Sequence, residues 1–491
     1  MEEEYIKLIF GLKLKQIRTE RNLSLFGLSK LSGLSKSYLN EIENGKKYPK
    51  PDKIAILSEK LDVPYDQMVS LKLDKNLAPI GDLLRSKILK EIPLEIFGIK
   101  ESNLIDIVAN APAKVNAFIS TIIEIAQHYN FSRESFYLAS VRSFQEANNN
   151  YFEDLEQSVL TFSKAYQIDL NQNISSKDLE EILIEEYGYI IKEKELSKYE
   201  ALGDLRSVYV PKTKTLLLAH EIDEAQRTFI YAKELAYNFL EIKERLFTFP
   251  WIKFKTFDQV LNNFYASYFA GAMIISRESI TQQLTELFSK ETFNEQDFIK
   301  LINSYNASPE SFYQRLSNIL PKDFNLQNLF FLRFNYKKGD KKFQLKKELH
   351  LTHQHSPRAN EVNEKYCRRW VSLEVLQGIS KGKEEHLFDM QISNFPKDNM
   401  KYLVLSSATK DPFKENHYRS ISIGLLINKQ LKRKLNFIAD PKIKIREVGV
   451  TCERCAIKDC AVRQVPAIAL DKAAKNKKTE IIVEELNNKF G

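Results

Sequence analysis

The stretch that most limits what this chain can fold into runs "LKQIRTERNLSLFGLSKLSGLSKSYLNEIENGKKYPKP", from Leu14 to Pro51. Short helical patterns follow one another here at turn signals. "LIFGLKLKQIRTERN" carries Leu8, Leu12, Leu14 and Ile17 at roughly helical spacing. Ser24 is placed to cap a second helix that Gly33 ends, and Ser35 to cap a third, with Leu39 and Ile42 inward and Gly45 as its stop. "PDKIAILSEKLDVPYDQM" reads as a helix, a turn at Val63-Pro64 and a closing helix. A helix, a tight turn and a second short helix make a helix-turn-helix, whose second helix enters a major groove with apolar residues inward and small or polar ones outward. The outward set is Ser35, Lys36, Ser37, Tyr38 and Asn40, with Lys46 and Lys47 just beyond. Between Lys7 and Lys53 there are eleven basic residues and four acidic ones, the local excess that phosphate neutralisation requires.

The segments "LKQIRTERNLS", "GLSKLSGLSKSYLNEIENGKKYPKP" and "IAILSEKLDVPYDQM" resemble the phage-repressor, or xenobiotic-response-element, class of helix-turn-helix domains. In that class an arginine of the first helix pairs with the glutamate ending the recognition helix, which implies a pair between Arg18 and Glu43. A glutamine common near the start of the second helix is replaced by Leu25-Phe26, so a phosphate contact from that helix does not carry over.

The chain is too long for one core: its 491 residues point to two to four domains. The hydrophobic fraction of 43% and charged fraction of 28% are those of a globular protein, and no run approaches a membrane-spanning length. "MEEEYIKLIF" opens acidic, without the features of a signal peptide. The expectation is a cytoplasmic protein with reduced thiols and no membrane partner.

Residues 76–325 are expected to be mostly α-helical, since "KVNAFISTIIEIAQHYN" and "RESFYLASVRSFQEANNNYFEDLEQSVLTFSKAY" show apolar residues at helical spacing and glycine is rare. "ISSKDLEEILIEEYGYIIKEKE" reads as a helix leading into a strand. Helix packing accounts for most of the abundant Tyr and Phe. "RTFIYAKELAYNFL" resembles the helix of the metallopeptidase family found beside phage-type repressor domains. At the H-E-x-x-H positions it carries Lys233, Glu234 and Tyr237, so both histidine ligands are missing. "FYASYFAGAMII" resembles that family's next helix, with Tyr265 expected where a third ligand would stand. Zinc proteolysis is not expected. Glu234 reads as a structural carboxylate, and the scaffold as a pocket or dimerisation platform.

From residue 326 to 491 the texture changes to short aromatic and β-branched runs, "NLFFLRFNY", "YLVLSSAT", "RSISIGLLI" and "KLNFIAD", separated by turn residues. A mixed α/β domain is expected, with residues 471–491 as a solvated basic tail holding a short helix. Three of the four cysteines, Cys452, Cys455 and Cys460, lie within nine residues, and the fourth is Cys367. Coincidence rarely spaces thiols so tightly, and a Cys-x2-Cys turn brings two sulfurs to one centre. Zinc and an iron–sulfur cluster both need four ligands. Cys367 can supply the fourth, or His350, His353 or His355 can replace a thiolate at zinc. Arg454, Lys458, Arg463, Arg368 and Arg369 would lower the thiol pKa values. Bottom-up, zinc and iron–sulfur stay open.

"NAFISTIIEIAQHYN", "FYLASVRSFQEANNNYFEDLE", "SPESFYQRLSNI", "NLFFLRFNYKKGD", "YCRRW" and "GVTCERCAIKDCAVRQVPA" occur in the order of the short-chain fatty acyl transcriptional regulator family, which the chain resembles over nearly its whole length. That family includes bacterial regulators of propionate and acetate metabolism. The resemblance implies a DNA-binding head, a helical middle, a C-terminal domain sensing an acyl-CoA, and a [4Fe-4S] cluster on Cys367, Cys452, Cys455 and Cys460. "FNYKKGDKKFQLKKE" and "HLTHQHSPRANEVN" depart from the family, so the ligand's identity does not carry over with them. An acyl-CoA site needs cations for its phosphates and an apolar slot, and Arg333, Arg368, Arg369 and Trp370 are candidates.

The expected architecture is therefore multidomain. An all-α helix-turn-helix head spans 1–75, a mostly α-helical middle 76–325, and a mixed α/β domain with a cysteine-ligated metal site 326–491. The expected function is that of a homodimeric, non-enzymatic regulator binding a double-stranded DNA operator and a short-chain acyl-CoA. The alternatives are a zinc-stapled regulator without an acyl ligand and, against the missing ligands, a repressor-linked metallopeptidase.

Overall fold

The computed structural model describes residues 2–70, 133–202, 205–220, 222–246, 256–351, 364–411 and 413–490. "KVNAFISTIIEIAQHYN", His353 and His355 lie outside the described residues. The chain divides into two compact units, residues 1–140 with 255–257, and residues 141–254 with 258–491.

In the first unit five helices occupy the head: α1 (Glu2–Glu20), α2 (Leu25–Ser32), α3 (Lys36–Glu43), α4 (Pro51–Lys60) and α5 (Tyr65–Val69). The local chemistry sets each boundary. Ser24 Oγ accepts the Gly27 N–H, Gly33 leaves α2 at φ 71°, Ser35 Oγ accepts the Tyr38 N–H, and Pro51 opens α4. Phe10, Leu14, Leu28, Leu39, Ile42, Ile54 and Leu57 form the core between them. At Gly11, α1 runs against the end of α3, where a side-chain methyl would overlap the carbonyl oxygens of Ile42 and Glu43.

The second unit takes up the chain within α6 (Arg133–Ala147) and continues with α7 (Glu153–Ala165) and α8 (Ser176–Glu185). A three-stranded sheet of order β1-β3-β2 follows, built from β1 (Ile190–Lys192), β2 (Ser207–Val210) and β3 (Thr215–Leu218), with β1 parallel to β3. The helix leading into a strand is thus present. The expectation of a mostly helical middle missed β2 and β3, four-residue strands too short to show an alternation. Next come α9 (Glu224–Phe239), α10 (Phe257–Ile274), α11 (Arg277–Ser289), α12 (Glu295–Asn303) and α13 (Pro309–Asp323).

A six-stranded sheet closes the unit, in the order β5-β4-β8-β7-β6-β9. Its strands are β4 (Leu329–Lys337), β5 (Gln344–His350), β6 (His386–Phe395), β7 (Met400–Lys410), β8 (His417–Leu426) and β9 (Lys444–Glu447). Alternation along β4 sends Phe331 to the helices α11–α13 and Phe330, Leu332 and Phe334 to the other face, against α14 (Val371–Lys381). The core under the first face runs from Leu155 of α7 through Phe312 of α13 to Leu425 of β8. One continuous core therefore crosses the boundary expected at 325/326. After the short α15 (Lys429–Lys434) comes α16 (Ile468–Phe490), a single long helix, exposed from Asp471 to Lys489, rather than a tail with a short helix.

Candidate functional site

In the head, Ser35, Lys36, Ser37, Asn40, Lys46 and Lys47 are exposed, and Tyr38 is partly buried with Lys47 Nζ 5.1 Å from its ring centre. Leu39, Ile42 and Glu43 fill the inner face of α3. The pair implied by the resemblance is present: Arg18 Nε and Nη2 donate to the two Glu43 carboxylate oxygens at 2.6 and 2.9 Å, and Nη1 donates to the Leu23 carbonyl at 2.7 Å. The hydrogen bond to Glu43 raises the Arg18 pKa further, against the effect of burial. Lys13 Nζ donates to the Gln67 and Ser70 carbonyls at 2.8 and 2.5 Å, capping the end of α5. Two of the eleven basic groups thus hold the fold, a distinction a charge count does not make. Exposed Lys36, Lys46, Lys47 and Lys50 are available to phosphate. Phe26, where the resemblance expects a glutamine nearby, is 58% exposed with Lys30 over its ring.

Around the cysteines, an antiparallel bridge joins Tyr366 to Thr451. The Cys367 N–H donates to the Val450 carbonyl and the Cys452 N–H to the Lys365 carbonyl, so two segments 85 residues apart are clamped together. Arg463 donates to the Cys452, Cys455 and Ile457 carbonyls at 2.9, 3.1 and 2.5 Å, and Arg454 pairs with Glu364 at 2.6 Å. These two arginines shape the loop rather than facing the sulfurs. Gly449 has to be glycine, since a methyl there would press on Cys455 Cβ and Sγ. Cys367, Cys452 and Cys455 are buried and Cys460 partly so, all as free thiols. Burial pushes the Cys367 thiol up to about 11, with the charges of Cys455 and Cys452 adding to the rise and backbone hydrogen bonds from Arg369 and Gly449 opposing it. Among the described residues no three His, Cys, Asp or Glu side chains stand in a metal-coordinating arrangement. The backbone clamp brings Cys367 beside the Cys452–Cys455 turn without assembling the thiols into a coordination shell. His350 lies instead 3.2 Å from Glu348.

The four acyl-CoA candidates do not form one site. Trp370 packs against Phe334 and donates its indole N–H to the Gly449 carbonyl, on the α14 face of the sheet. Arg368 stacks over Phe343 and donates to the Lys341 carbonyl, and the Arg369 carbonyl accepts from Gln391. Arg333 projects from the opposite face. There it meets Glu310, in the first turn of α13, at 3.1 Å. Lys347 reaches the same carboxylate at 2.5 Å, and Arg419 lies 4.0 Å from it and 3.2 Å from Asp411. Register explains the gathering, because Arg333 pairs with Lys347 across β4/β5 and Asn335 with Arg419 across β4/β8. Burial works against the Glu310 carboxylate, but Lys347 and Arg333 hold its pKa well below the usual range. Arg206, over Phe413, has its pKa lowered by burial and by repulsion from Arg419. The Nε donors of Arg333 and Arg419 and the Asn335 amide oxygen are buried without hydrogen-bond partners among the described residues. Sequence reasoning missed Arg206, Lys347 and Arg419; a cross-strand pairing of basic residues would have exposed them only once the register was known. An apolar void of about 10 Å³ beneath this face, lined by Leu284, Phe298, Leu405 and Phe437 among others, has room for one water at most and gives no slot for an acyl arm.

On α9, Glu234 is the structural carboxylate expected. It is ion-paired to Arg245 and accepts the Tyr189 hydroxyl at 3.0 Å. Asn263 of α10, rather than Tyr265, is the residue that meets Lys233 and Tyr237, its Oδ1 accepting from both. Tyr265 packs against Phe144 and Phe264.

The helix-turn-helix family model matches residues 14–68, and that segment is a helix-turn-helix domain. Over it the chain is similar to two Bacillus subtilis (strain 168) proteins. The HTH-type transcriptional repressor RghR is 41% identical over 61 residues, and the uncharacterized HTH-type transcriptional regulator RghRB 39% over 62. Each match covers 12% of this chain and 45% of the relative, so the chain spans less than half the length of either. A solved Mycobacterium tuberculosis transcriptional regulator aligns with 67% of this chain and 93% of its own, at 18% identity and a TM-score of 0.47. No helix among the described residues is long and apolar enough to cross a membrane.

Proposed function

We propose that the chain is a homodimeric, non-enzymatic transcriptional regulator that binds double-stranded DNA through α3 and responds to a short-chain acyl-CoA. The observation that carries the reading is the head: α3 presents Lys36, Ser37 and Asn40 outward while Arg18 grips Glu43 beneath it. Two such heads would read half-sites about one helical turn apart. The cationic gathering of Arg206, Arg333, Lys347 and Arg419 supports an anionic effector, because the buried Nε donors of Arg333 and Arg419, without hydrogen-bond partners among the described residues, are costly until an anion meets them. Arg368, Arg369 and Trp370 suit a different role, as supports of the cysteine segment. There Cys367, Cys452, Cys455 and Cys460 would hold a [4Fe-4S] cluster or zinc, a metal that ties the two clamped segments together. Brown anaerobically purified protein indicates the cluster; colourless protein with bound zinc indicates the alternative, a zinc-stapled regulator.

The test of the DNA reading is a gel shift with operator fragments selected from genomic DNA. Lys36→Ala combined with Tyr38→Ala should weaken binding by about tenfold or more, with the circular dichroism spectrum unchanged. Unaltered shifts would remove α3 as the recognition helix.

A further inference from the structure

Glu310, in the first turn of α13, is the carboxylate around which the cations of β4, β5 and β8 gather, and it serves them unevenly. Its Oε1 accepts from Lys347 Nζ at 2.5 Å, Arg333 Nη1 at 3.1 Å and Gln314 Nε2 at 3.4 Å, whereas its Oε2 lies 4.0 Å from Arg419 Nη1. Arg419 is only 7% exposed, yet its Nε and Nη2 have no hydrogen-bond partner among the described residues. Nη2 stands 3.2 Å from Asp411 Oδ2 without the geometry of a hydrogen bond. Arg333 Nε is orphaned in the same way. Buried charged donors left without acceptors are unfavourable, so this arrangement of the fold is incomplete as it stands.

One carboxylate cannot complete it. Glu310 has two oxygens, and one of them already takes three donors. A phosphate group presents more oxygens, and guanidinium forks pair with them two at a time. Charge points the same way. Arg333, Lys347 and Arg419 face Glu310 and Asp411, and withdrawing Glu310 would leave an excess of two positive charges, matched by a doubly ionised phosphate. The Asn335 amide oxygen, opposite Arg419 in register, is orphaned too and can accept from a protonated phosphate oxygen. Access lies on the β5 side, at the edge of the sheet, where the Lys347 side chain is 48% exposed. Gln314, one turn along α13, already touches the Glu310 carboxylate and gives it a neutral partner when it is displaced.

We propose that Glu310 is a built-in competitor: in the empty chain its carboxylate stands in the place of a phosphate group, which enters past Lys347, takes the unanswered donors of Arg333 and Arg419, and displaces it. The inference rests on the reading of this gathering as an anionic effector site and adds how the site regulates itself. Binding exchanges a tie between α13 and the sheet for one made through the ligand. Titration calorimetry of the full chain with inorganic phosphate, diphosphate and acetate tests it, with propionyl-CoA run in parallel to separate a phosphate carried on an effector from a free one. Glu310→Gln should bind phosphate or diphosphate at least about tenfold more tightly than wild type, and adding Arg333→Gln should abolish the gain. Acetate should show neither effect. Should the glutamine variant fail to fold, Glu310→Asp, which keeps the charge but draws it back by one methylene, should tighten binding by a smaller factor. Phosphate affinity unchanged or lowered in the Glu310 variants makes the carboxylate a support of the arginines and overturns the competitor; if that binding still depends on Arg333, the effector site survives. Propionyl-CoA binding that ignores both Glu310 and Arg333 overturns the site and leaves the effector reading standing. Absence of binding by phosphate, diphosphate and propionyl-CoA alike, in wild type and variants, overturns both.

Discussion

Arg18 and Lys233 are both partly buried cations, and their partners make them opposites. Arg18 has a bidentate carboxylate and a carbonyl, so its charge is fixed and its role is to lock α1 to α3. Lys233 has an amide oxygen, and its proton is correspondingly loose. In the unfolded chain this lysine titrates at the ordinary 10.5, in the folded chain near 8. Between those values the unfolded state holds a proton that the folded state has released, so raising the pH favours folding. The groups facing it are Glu234, ion-paired to Arg245, the Tyr237 hydroxyl, whose pKa burial raises, and Lys347, which is paired with Glu310. Urea midpoints of wild type and Lys233→Met compared across the window should show wild type gaining on the variant as pH rises. A constant difference would mean that the lysine keeps its ordinary affinity for protons.

At the scale of elements, the head was legible because its signals are local. Ser24, Gly33, Ser35 and Pro51 each act on the helix they adjoin, and all four sit where the sequence places them. What was not legible depends on crossings. Gly11 looks like a flaw in α1, yet it is the point at which α1 meets the carbonyls ending α3. Gly11→Ala should therefore destabilise the head by about 3 kcal/mol. In the full chain this would appear as faster hydrogen exchange in α1–α3 and weaker operator binding, with β4–β8 unaffected. The same limit governs the candidate sites. Cys367 was assigned to the distant cysteines by arithmetic of ligands, and the Tyr366–Thr451 bridge supplies the contact. Arg333 was chosen beside Arg368–Trp370 because they were near in sequence and chemistry, but strand alternation sends Arg333 and Phe334 to opposite faces.

At the scale of the whole molecule, the helix-turn-helix head lies in one compact unit, and the cationic gathering and the cysteine segment in the other. A regulator with this layout works only if a ligand of the second unit distinguishes two states of the chain that differ in operator affinity. That requirement has a quantitative form: an effector that changes operator affinity tenfold represents a coupling of about 1.4 kcal/mol, and the operator must change effector affinity by the same factor. Propionyl-CoA can be titrated into the chain with and without saturating operator DNA, and operator affinity measured with and without the ligand. The true effector should give two equal factors, in the same direction. A ligand that binds the second unit but shifts neither affinity occupies a site without being the signal, however tight its binding.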